Sequence, residues 1–268
     1  MGRVICVCNQ KGGVGKTTTC VNLSSCLALA EKRALVVDMD PQANSSSGLG
    51  VRTAEGENSV YQWLLGYTDF DDVVRTTALK HLHLVPSSQD LTGAEIELVG
   101  MDGRETMLSS VIEGIRDRFD YIFIDCPPSL GFLTLNALVA ADTVLVPIQC
   151  EYYALEGVGR LIRTINRVKA SLNPRLLYEG ILMTMFDQRN NLSHQVVADV
   201  RKHFGSKVFT TIVPRNVKLS ESPSFGKPVV LYDITSKGAV SYLSLSKEIL
   251  DADDINGRKE AYCAGTGS

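Results

Sequence analysis

The most informative segment of the sequence is residues 9–18, NQKGGVGKTT, which follows the apolar run Val4–Cys8 and leads into the helical pattern Lys16–Ala30. Glycines in a loop of this kind let backbone amides turn inward around phosphate oxygens, and the N-terminus of the next helix adds a partial positive charge. Because strand, glycine loop and helix stand in the required order, the sequence predicts a phosphate-binding loop.

The residue types of this loop predict a site for a nucleotide with Mg²⁺. The Lys16 ammonium would reach the β and γ phosphates, and the Thr17 hydroxyl would ligate Mg²⁺. The loop departs from the GxxxxGK[ST] pattern because Gln10 replaces its first glycine and a further lysine, Lys11, opens it. We expect Lys11 to project outward, toward a nucleotide held by another subunit. The predicted nucleotide contacts are Gly12, Gly13, Val14, Gly15, Lys16, Thr17 and Thr18.

Short apolar runs recur between longer helical patterns and predict an α/β fold. They are continuous apolar stretches, which is typical of strands buried on both faces of a parallel sheet. We therefore expect a doubly wound, mostly parallel sheet with helices on both faces, as in P-loop NTPases. The predicted strands are Val4–Cys8, Ala34–Val37, Leu82–Val85, Tyr121–Ile124, Thr143–Ile148, Gly180–Met185 and Val208–Val213. The predicted helices are Lys16–Ala30, Val60–Leu65, Glu105–Arg118, Leu133–Ala140, Leu155–Ala170, Ser193–His203 and Ala239–Leu250.

Length and composition indicate one globular domain. The chain has 268 residues, of which 44% are hydrophobic and 21% charged, which argues against a disordered or collagen-like protein. No linker or repeat divides it, so we expect a single ATPase domain over residues 1–256 and a frayed tail over residues 257–268. No apolar run approaches the ~18 residues of a membrane span, and we expect a cytoplasmic protein.

The cysteines and histidines do not indicate a metal centre. The seven cysteines form no CxxC pair, and the four histidines have no ligand spacing. Most of the cysteines lie in apolar segments, where a free cysteine behaves as a small hydrophobic residue. We therefore expect reduced thiols in the core.

The net charge of −3 conceals a strong asymmetry along the chain. Residues 31–150 carry a balance of −10, whereas residues 151–230 carry twelve Lys and Arg against six Asp and Glu. A basic block inside an acidic protein indicates a surface for nucleic acid or for an acidic partner. The alternative is that these charges are scattered over the surface.

Three segments resemble the deviant Walker A ATPases. Residues 11–17 match the KGGxGK[ST] loop of that family without exception. Residues 36–44, VVDMDPQAN, resemble its first switch, and residues 122–129, IFIDCPPS, resemble its Walker B strand and second switch. Both switches follow predicted strands at their carboxyl ends, where open α/β sheets bind ligands.

The resemblance implies roles for three carboxylates. Asp125 would hold Mg²⁺ through water, Asp40 would position or deprotonate the attacking water, and Asp38 would support the metal site. Each carboxylate taken singly also fits a solvated turn or a helix cap.

Within that family the chain is most similar to the ParA/Soj chromosome- and plasmid-partition ATPases, over roughly residues 3–250. Segments 149–157, 182–187 and 213–228 carry this likeness. It implies an ATP-dependent homodimer that binds double-stranded DNA nonspecifically and is nucleoid-associated. It also implies a ParB-like partner that stimulates hydrolysis to ADP and phosphate and so releases the DNA.

The resemblance also assigns residues outside the loop. Pro214 and Asn216 would lie against the adenine, and Glu151 would lie near the dimer seam. The residue types also fit an ordinary strand-to-helix turn in which Asn216 or Ser220 is the N-cap.

DNA contact is implied for Arg189 and Lys218, which both fall in the basic block. Lys218 stands where the family commonly has arginine; it keeps the charge but loses the bidentate fork, which matters little for phosphate contact. No helix-turn-helix pattern is visible, so sequence-specific operator binding is not expected. We expect the remaining basic residues there to be mostly bystanders: Arg160, Arg163, Arg167, Lys202 and Lys207.

Three other interpretations compete with this one. A MinD-like membrane ATPase shares the nucleotide motifs, but residues 245–254 place acids where a membrane surface would favour Lys and Arg, so no membrane contact is expected. An iron–sulfur ATPase would need cluster ligands, and Cys126 and Cys150 stand in no cluster motif. A non-enzymatic switch, in which hydrolysis only resets DNA binding, is largely compatible with the partition interpretation, and it predicts slow turnover without a partner.

Overall fold

The computed structural model describes residues 1–152 and 154–265 and shows an α/β fold built on one sheet. Its strands are β1 (Arg3–Val7), β2 (Ala34–Asp38), β3 (Arg75–Thr76), β4 (Leu82–Val85), β5 (Tyr121–Asp125), β6 (Thr143–Gln149), β7 (Leu177–Phe186) and β8 (Val208–Pro214). The strand order is β3-β4-β2-β5-β1-β6-β7-β8. All pairings are parallel except that of β3 with β4. The predicted doubly wound, mostly parallel sheet is confirmed.

The helices cover both faces of the sheet. They are α1 (Lys16–Leu29), α2 (Asn44–Gly48), α3 (Val60–Leu64), α4 (Phe70–Val73), α5 (Leu91–Glu97), α6 (Met107–Glu113), α7 (Phe132–Ala140), α8 (Ala154–Ser171), α9 (Asn191–Phe204), α10 (Val217–Glu221), α11 (Val229–Tyr232) and α12 (Lys237–Gly265). Short 3-10 turns follow at residues 98–100, 116–118, 205–207 and 222–225.

The side chains of alternate strand residues pack into two hydrophobic cores, one on each face of the sheet. Ile5 and Phe123 pack with α1 and α12 on one side, whereas Val4 and Ile122 pack on the other side with helices that include α7 and α8. All five residues of β2 and of β5 are buried, as expected for central strands of a covered parallel sheet.

The order of the strands explains where a ligand can bind. Strand β1 lies between β5 and β6, so the chain leaves it toward β2 on one side and later returns to β6 on the other. At such a reversal the loops at the carboxyl ends of the strands diverge and leave a crevice. The glycine loop, which follows β1, lies at this point.

Several short elements were not predicted, namely β3 and the helices α2, α4, α5, α10 and α11, and one predicted helix is divided. The strand β3 was not predicted, because its two residues are too few to show any periodicity. The helix predicted over Glu105–Arg118 is divided: α6 ends at Glu113 with Gly114 as its C-cap, and a separate 3-10 turn covers Arg116–Arg118. Glycine is a poor helix former, and its position here accounts for the break.

The last helix is longer than the predicted Ala239–Leu250. Its docking extends to Asp253, which accepts a 2.5 Å hydrogen bond from the Tyr121 hydroxyl and forms an ion pair with Arg3. The helix continues through residues 257–265, for which a tail was predicted, so no end of secondary structure marks residue 256. Fraying there stays a prediction, and residues 266–268 lie outside the described chain.

The sequence predicts that the cysteines lie in the core as reduced thiols. Six of them are buried free thiols, as expected, and the burial of Cys263 is outside what the structure describes. Cys126 Sγ lies 3.4 Å from Cys6 Sγ on the neighbouring strand, and Cys150 is also buried. Within the described residues, no helix is both long enough and apolar enough to cross a bilayer.

Candidate nucleotide site

The glycine loop connects β1 to α1 and is held in place by two neighbouring strands. The Thr184 hydroxyl of β7 donates a 2.8 Å hydrogen bond to the Val14 carbonyl, and the Asn9 amide donates a 2.7 Å bond to the Pro147 carbonyl of β6. Gly15 has a φ of 94°, which a side chain would disfavour, and it forms the N-cap of α1. These contacts fix the loop at the start of a 14-residue helix.

A cavity of about 480 Å³ lies over this helix N-terminus. Of the predicted contacts, Gly12, Gly13, Gly15, Lys16, Thr17 and Thr18 line it, together with Asp40. Val14 does not line it, because its side chain is buried beneath the loop. Lys16 is only 6% exposed, and its ammonium donates a 3.2 Å hydrogen bond to the Lys11 carbonyl, so it curls under the loop. The cavity therefore presents backbone amides, a helix N-terminus and a buried cation, a combination suited to phosphate groups.

Two buried aspartates lie at the floor of the site. Asp38 ends β2 and Asp125 ends β5, and the two residues are paired in register. Helix α2 holds both of them: the Ser45 hydroxyl donates to Asp125 Oδ2 at 2.7 Å, and the Ser46 hydroxyl donates to Asp38 Oδ2, also at 2.7 Å. The hydroxyl of Thr17 is near enough to Asp125 to favour its charged form.

The shared burial of these aspartates disfavours their charged forms. The pKa of Asp38 is raised to about 7, first by burial and then by the charge of Asp125, against the opposing effect of the Ser46 hydrogen bonds. The pKa of Asp125 is raised to about 6, mainly by burial, while hydrogen bonds from Ser45 and Thr17 act in the other direction. A bound cation would relieve this cost, because it favours the charged carboxylates.

The oxygens at this point fit a small divalent cation. Asp125 Oδ1 is buried and has no hydrogen-bond partner among the described residues, although one is expected for a buried oxygen. With the hydroxyl of Thr17 it forms a set of hard oxygen donors, which Mg²⁺ prefers. The residues present therefore fit Mg²⁺ beside the phosphate cavity.

Asp40 differs from the other two aspartates. It faces the cavity, is 7% exposed and lies beyond the end of β2. Its Oδ1 accepts a 3.0 Å hydrogen bond from the Gln42 amide, which orients the carboxylate. It is thus placed to contact a group in the cavity rather than a group beneath it.

A second cavity of about 260 Å³ adjoins the first. Pro214 and Asn216 line it, and Gly15, Thr18 and Met185 line both cavities. The side chain of Asn216 accepts a 3.0 Å hydrogen bond from Lys218 N, so this residue is also the N-cap of α10. The capping interpretation and the cavity-lining interpretation of Asn216 are therefore both compatible with the geometry.

The side chain of Lys11 points in a different direction from that of Lys16. Its side chain is 48% exposed and forms an ion pair with Glu151, which follows β6. Lys11 does not line the phosphate cavity of its own chain. The two lysines of the loop therefore serve different surfaces.

The two predicted DNA contacts follow β7 and its neighbour β8, which is the edge strand of the sheet. Arg189 lies three residues after β7, and Lys218 lies four residues after β8, which pairs with β7. Arg189 is 90% exposed and pairs with Asp187, and Lys218 pairs with Glu221 at 2.9 Å. Both lie beyond the carboxyl ends of their strands, at the end of the sheet that carries the glycine loop.

The sequence interpretation missed the residues that support this site. Ser45 and Ser46 anchor the two buried aspartates, and Thr184 anchors the loop. The serine run 45–47 directly after the first switch was the available signal, because small hydroxyl residues suit a buried polar network. Thr184 gave no signal, since its role depends on the pairing of distant strands.

Known proteins are similar to this chain over most of its length. The family model AAA_31, described as an AAA domain, matches residues 2–178. The chain is 56% identical over 253 residues to the chromosome partitioning protein ParA of Myxococcus xanthus, covering 94% of this chain and 89% of the relative. It is 52% identical over 249 residues to the sporulation initiation inhibitor protein Soj of Bacillus subtilis, covering 93% and 98%.

Solved structures show the same fold, in one case with a nucleotide and magnesium bound. A cobyrinic acid a,c-diamide synthase from Mycobacterium smegmatis, crystallised with ADP and magnesium, superposes with a TM-score of 0.82 at 38% identity, covering 93% of this chain and 94% of that chain. The cell division ATPase MinD of Pyrococcus furiosus has a TM-score of 0.78 at 26% identity, covering 94% and 100%.

Proposed function

The chain belongs to the ParA/Soj family of chromosome-partitioning ATPases, and from that premise we propose that it is an ATP-driven switch for DNA partition. ATP and Mg²⁺ drive two copies into a sandwich dimer, and the dimer binds double-stranded DNA nonspecifically. A ParB-like partner stimulates hydrolysis to ADP and phosphate, and the DNA is released. The observation that carries the proposal is the division of the loop lysines, with Lys16 buried at the cavity and Lys11 directed away from it.

The cavity supports the nucleotide half of the proposal. Loop amides and the N-terminus of α1 bind the phosphates, and Lys16 neutralises charge on the β and γ groups. Pro214 and Asn216 in the adjoining cavity hold the base. Thr17 and Asp125 would hold Mg²⁺, which supplies positive charge to the phosphate oxygens.

Asp40 is the group proposed to act on water. It is held by the Gln42 amide and faces the cavity, so it can orient a water molecule or accept its proton. Asp38 is fully buried and supports the metal site from below. Because Asp40 acts alone on the water, we expect turnover without the partner to be well below the ~10 per second of a typical enzyme.

Dimerisation follows from the position of Lys11. The backbone of the loop already encloses the phosphate cavity and the Lys11 side chain points away from it, so its ammonium would reach the nucleotide of a second copy more readily than its own. For this it must leave Glu151, which holds it within one chain and which we place near the dimer seam.

The proposed DNA contacts, Arg189 and Lys218, lie in the basic block of residues 151–230. Phosphate contacts of this type carry no sequence information, so binding is nonspecific and weakens with salt. The protein would accordingly be found in the cytoplasm on the nucleoid.

A membrane-bound MinD-like cycle and an amide-synthase activity are the other functions suggested by the comparisons. The higher identity to ParA and Soj, 56% and 52%, favours partition over both. The middle of α12 also carries Asp251, Asp253 and Asp254, which an anionic membrane would repel. Sedimentation with anionic liposomes and ATP should leave the protein in the supernatant.

The deciding experiment is DNA binding by the purified chain without nucleotide, with ADP and with ATP, each over a salt series. The variant Asp40→Ala with ATP provides a state that does not hydrolyse. Binding confined to the ATP states, with affinity falling steeply as salt rises, is the expected result. A dimer that forms with ATP yet binds no DNA would refute the partition function.

A further inference from the structure

Residues 217–226, here called the 217–226 arm, form a continuous element that leaves the end of β8. The arm consists of α10, the 3-10 turn Ser222–Phe225 and Gly226, with no loop between the helices. Hydrogen bonds close its turns: Ser224 Oγ donates to the Glu221 carbonyl at 2.7 Å, and Gly226 N donates to the Pro223 carbonyl at 3.0 Å. We expect such an element to move as one body.

The outer part of the arm holds a proposed DNA contact. The Lys218 ammonium is bonded to Glu221 Oε2 at 2.9 Å and lies 5.5 Å from the centre of the Tyr232 ring. Tyr232 also donates a 3.2 Å hydrogen bond to the same Glu221 oxygen. Two side chains, those of Glu221 and Tyr232, therefore set the position of the Lys218 ammonium.

The inner part of the arm lies against the nucleotide cavity. Ser222 and Pro223 line this cavity, and Ser222 is almost fully buried. The arm thus spans from the nucleotide site to the proposed DNA contact within ten residues.

The arm also touches the end of α2, the helix whose serines hold both buried aspartates. Leu49 N donates to the Ser45 carbonyl at 3.1 Å, and Val51 N donates to the Ser46 carbonyl at 3.0 Å. Gly50 lies between these two amides. Gly50 N itself donates to the Ser47 carbonyl at 3.0 Å, so the position of Gly50 is set by α2, which includes the two residues that bind Asp125 and Asp38 through their hydroxyls.

Gly50 packs on Gly226 backbone to backbone. Both residues have left-handed backbones, with φ of +79° and +61°. A Cβ on Gly50 would lie 2.8 Å from the Gly226 carbonyl oxygen, and a Cβ on Gly226 would lie 2.8 Å from Gly50 Cα. No flexible side chain separates the two segments, so a displacement of one must move the other.

We infer that the 217–226 arm couples α2 to Lys218 and so makes DNA contact depend on the nucleotide state. A change in the contacts of Ser45 and Ser46 shifts Gly50, the glycine contact passes the shift to Gly226, and the arm carries it to Lys218. This inference rests on the proposed function, because it assumes that Lys218 contacts DNA in the ATP state.

The test uses alanine at the contact and matched alanines elsewhere. Gly50→Ala and Gly226→Ala add a methyl group at the contact. Gly56→Ala and Gly66→Ala add the same group at positions with positive φ, +81° and +74°, where no described atom lies within 4 Å. The pairs therefore share the backbone cost and differ only in the contact.

For each variant we would measure ATP affinity, ATP-dependent dimerisation by light scattering, and DNA affinity with and without ATP. In the contact variants, the factor by which ATP raises DNA affinity should be at least tenfold smaller than in the wild-type chain. Their ATP affinity and dimerisation should stay within about threefold of the matched controls. The coupling would be overturned if contact and control variants lost DNA affinity equally. It would also be overturned if the contact variants lost dimerisation to the same extent as DNA affinity.

Two further observations keep the test decisive. If the wild-type chain shows no ATP-induced DNA binding, the proposed function itself has failed, and that result appears before any variant is made. If the contact variants do not fold, hydrogen exchange of the wild-type chain takes their place. ATP should then change exchange of the Gly226 and Lys227 amides together with those of Leu49 and Val51. A change in Leu49 and Val51 alone would overturn the coupling.

Discussion

Asp38 and Asp125 are paired in register at the ends of adjacent parallel strands, and both carboxyl groups are fully buried. Their raised pKa values, about 7 and about 6, mean that the folded chain binds protons more tightly than the unfolded chain does. The stabilising contribution is therefore complete below the ordinary aspartate pKa of about 4 and is lost as pH rises through 6 and 7. At physiological pH the buried charges of these two aspartates therefore destabilise the folded chain.

Replacing Asp38 with Asn should remove much of this cost in the metal-free, nucleotide-free protein. From pH 5 to pH 8 the free energy of unfolding of Asp38→Asn should rise by about 1–3 kcal/mol relative to wild type, as one charge of the pair is absent. Urea unfolding at several pH values measures it. The control is Asp120→Asn, because Arg33 lowers the pKa of Asp120 and its effect should be constant over this range. Parallel curves for wild type and Asp38→Asn would contradict the prediction.

Replacing the two loop lysines should have different effects. Lys16→Ala removes a buried cation beside the phosphates and should lower ATP affinity by roughly 10- to 150-fold, the value of a charged hydrogen bond of about 1.5–3 kcal/mol. Lys11→Ala should change the ATP affinity of the monomer by less than about threefold and should abolish ATP-dependent dimerisation.

Titration with a fluorescent ATP analogue and light scattering measure these two quantities. Lys32→Ala, an exposed lysine beyond the far end of α1, serves as the neutral control. Equal losses of ATP affinity in Lys11→Ala and Lys16→Ala would mean that Lys11 serves its own nucleotide, and the trans role would be wrong.

Asn216 offers a way to separate capping from nucleotide contact. Aspartate is as good an N-cap as asparagine, so Asn216→Asp should change the melting temperature by no more than about 2 °C. It loses the amide donor and places a negative charge in the cavity that adjoins the phosphates, so ATP affinity should fall by about tenfold or more. Asn190→Asp, at the N-cap of α9, is the matched control and should leave ATP affinity unchanged. If Asn216→Asp binds ATP like wild type, the residue is only a cap.

The sequence predicted the parts of the fold that depend on local patterns. All seven predicted strands exist, because continuous apolar runs such as residues 121–124 are typical of strands covered on both faces. The glycine loop and its helix were also predictable, since their residue order has few other structural uses.

Long-range contacts were not predictable in the same way. The pairing of Asp38 with Asp125 depends on β2 and β5 being neighbours, although 87 residues separate the two aspartates in the chain. The contact between Gly50 and Gly226 depends on two turns that no local pattern joins. A single sequence shows which residue types can form a site, whereas the order of the strands determines which of these residues lie close together.

Charge reversal should locate the DNA surface. Arg189→Glu and Lys218→Glu each replace a positive side chain at the β7–β8 edge with a negative one, which should weaken DNA binding in the ATP state by tenfold or more and lower the salt dependence. The matched control is Lys80→Glu, the same change beside β4 near the opposite edge of the sheet, which should leave DNA affinity within about twofold. Because phosphate contact is independent of sequence, the losses should be equal on unrelated DNA duplexes. A loss confined to one duplex would indicate base recognition, and equal losses in all three variants would mean that net charge, rather than this edge, attracts the DNA.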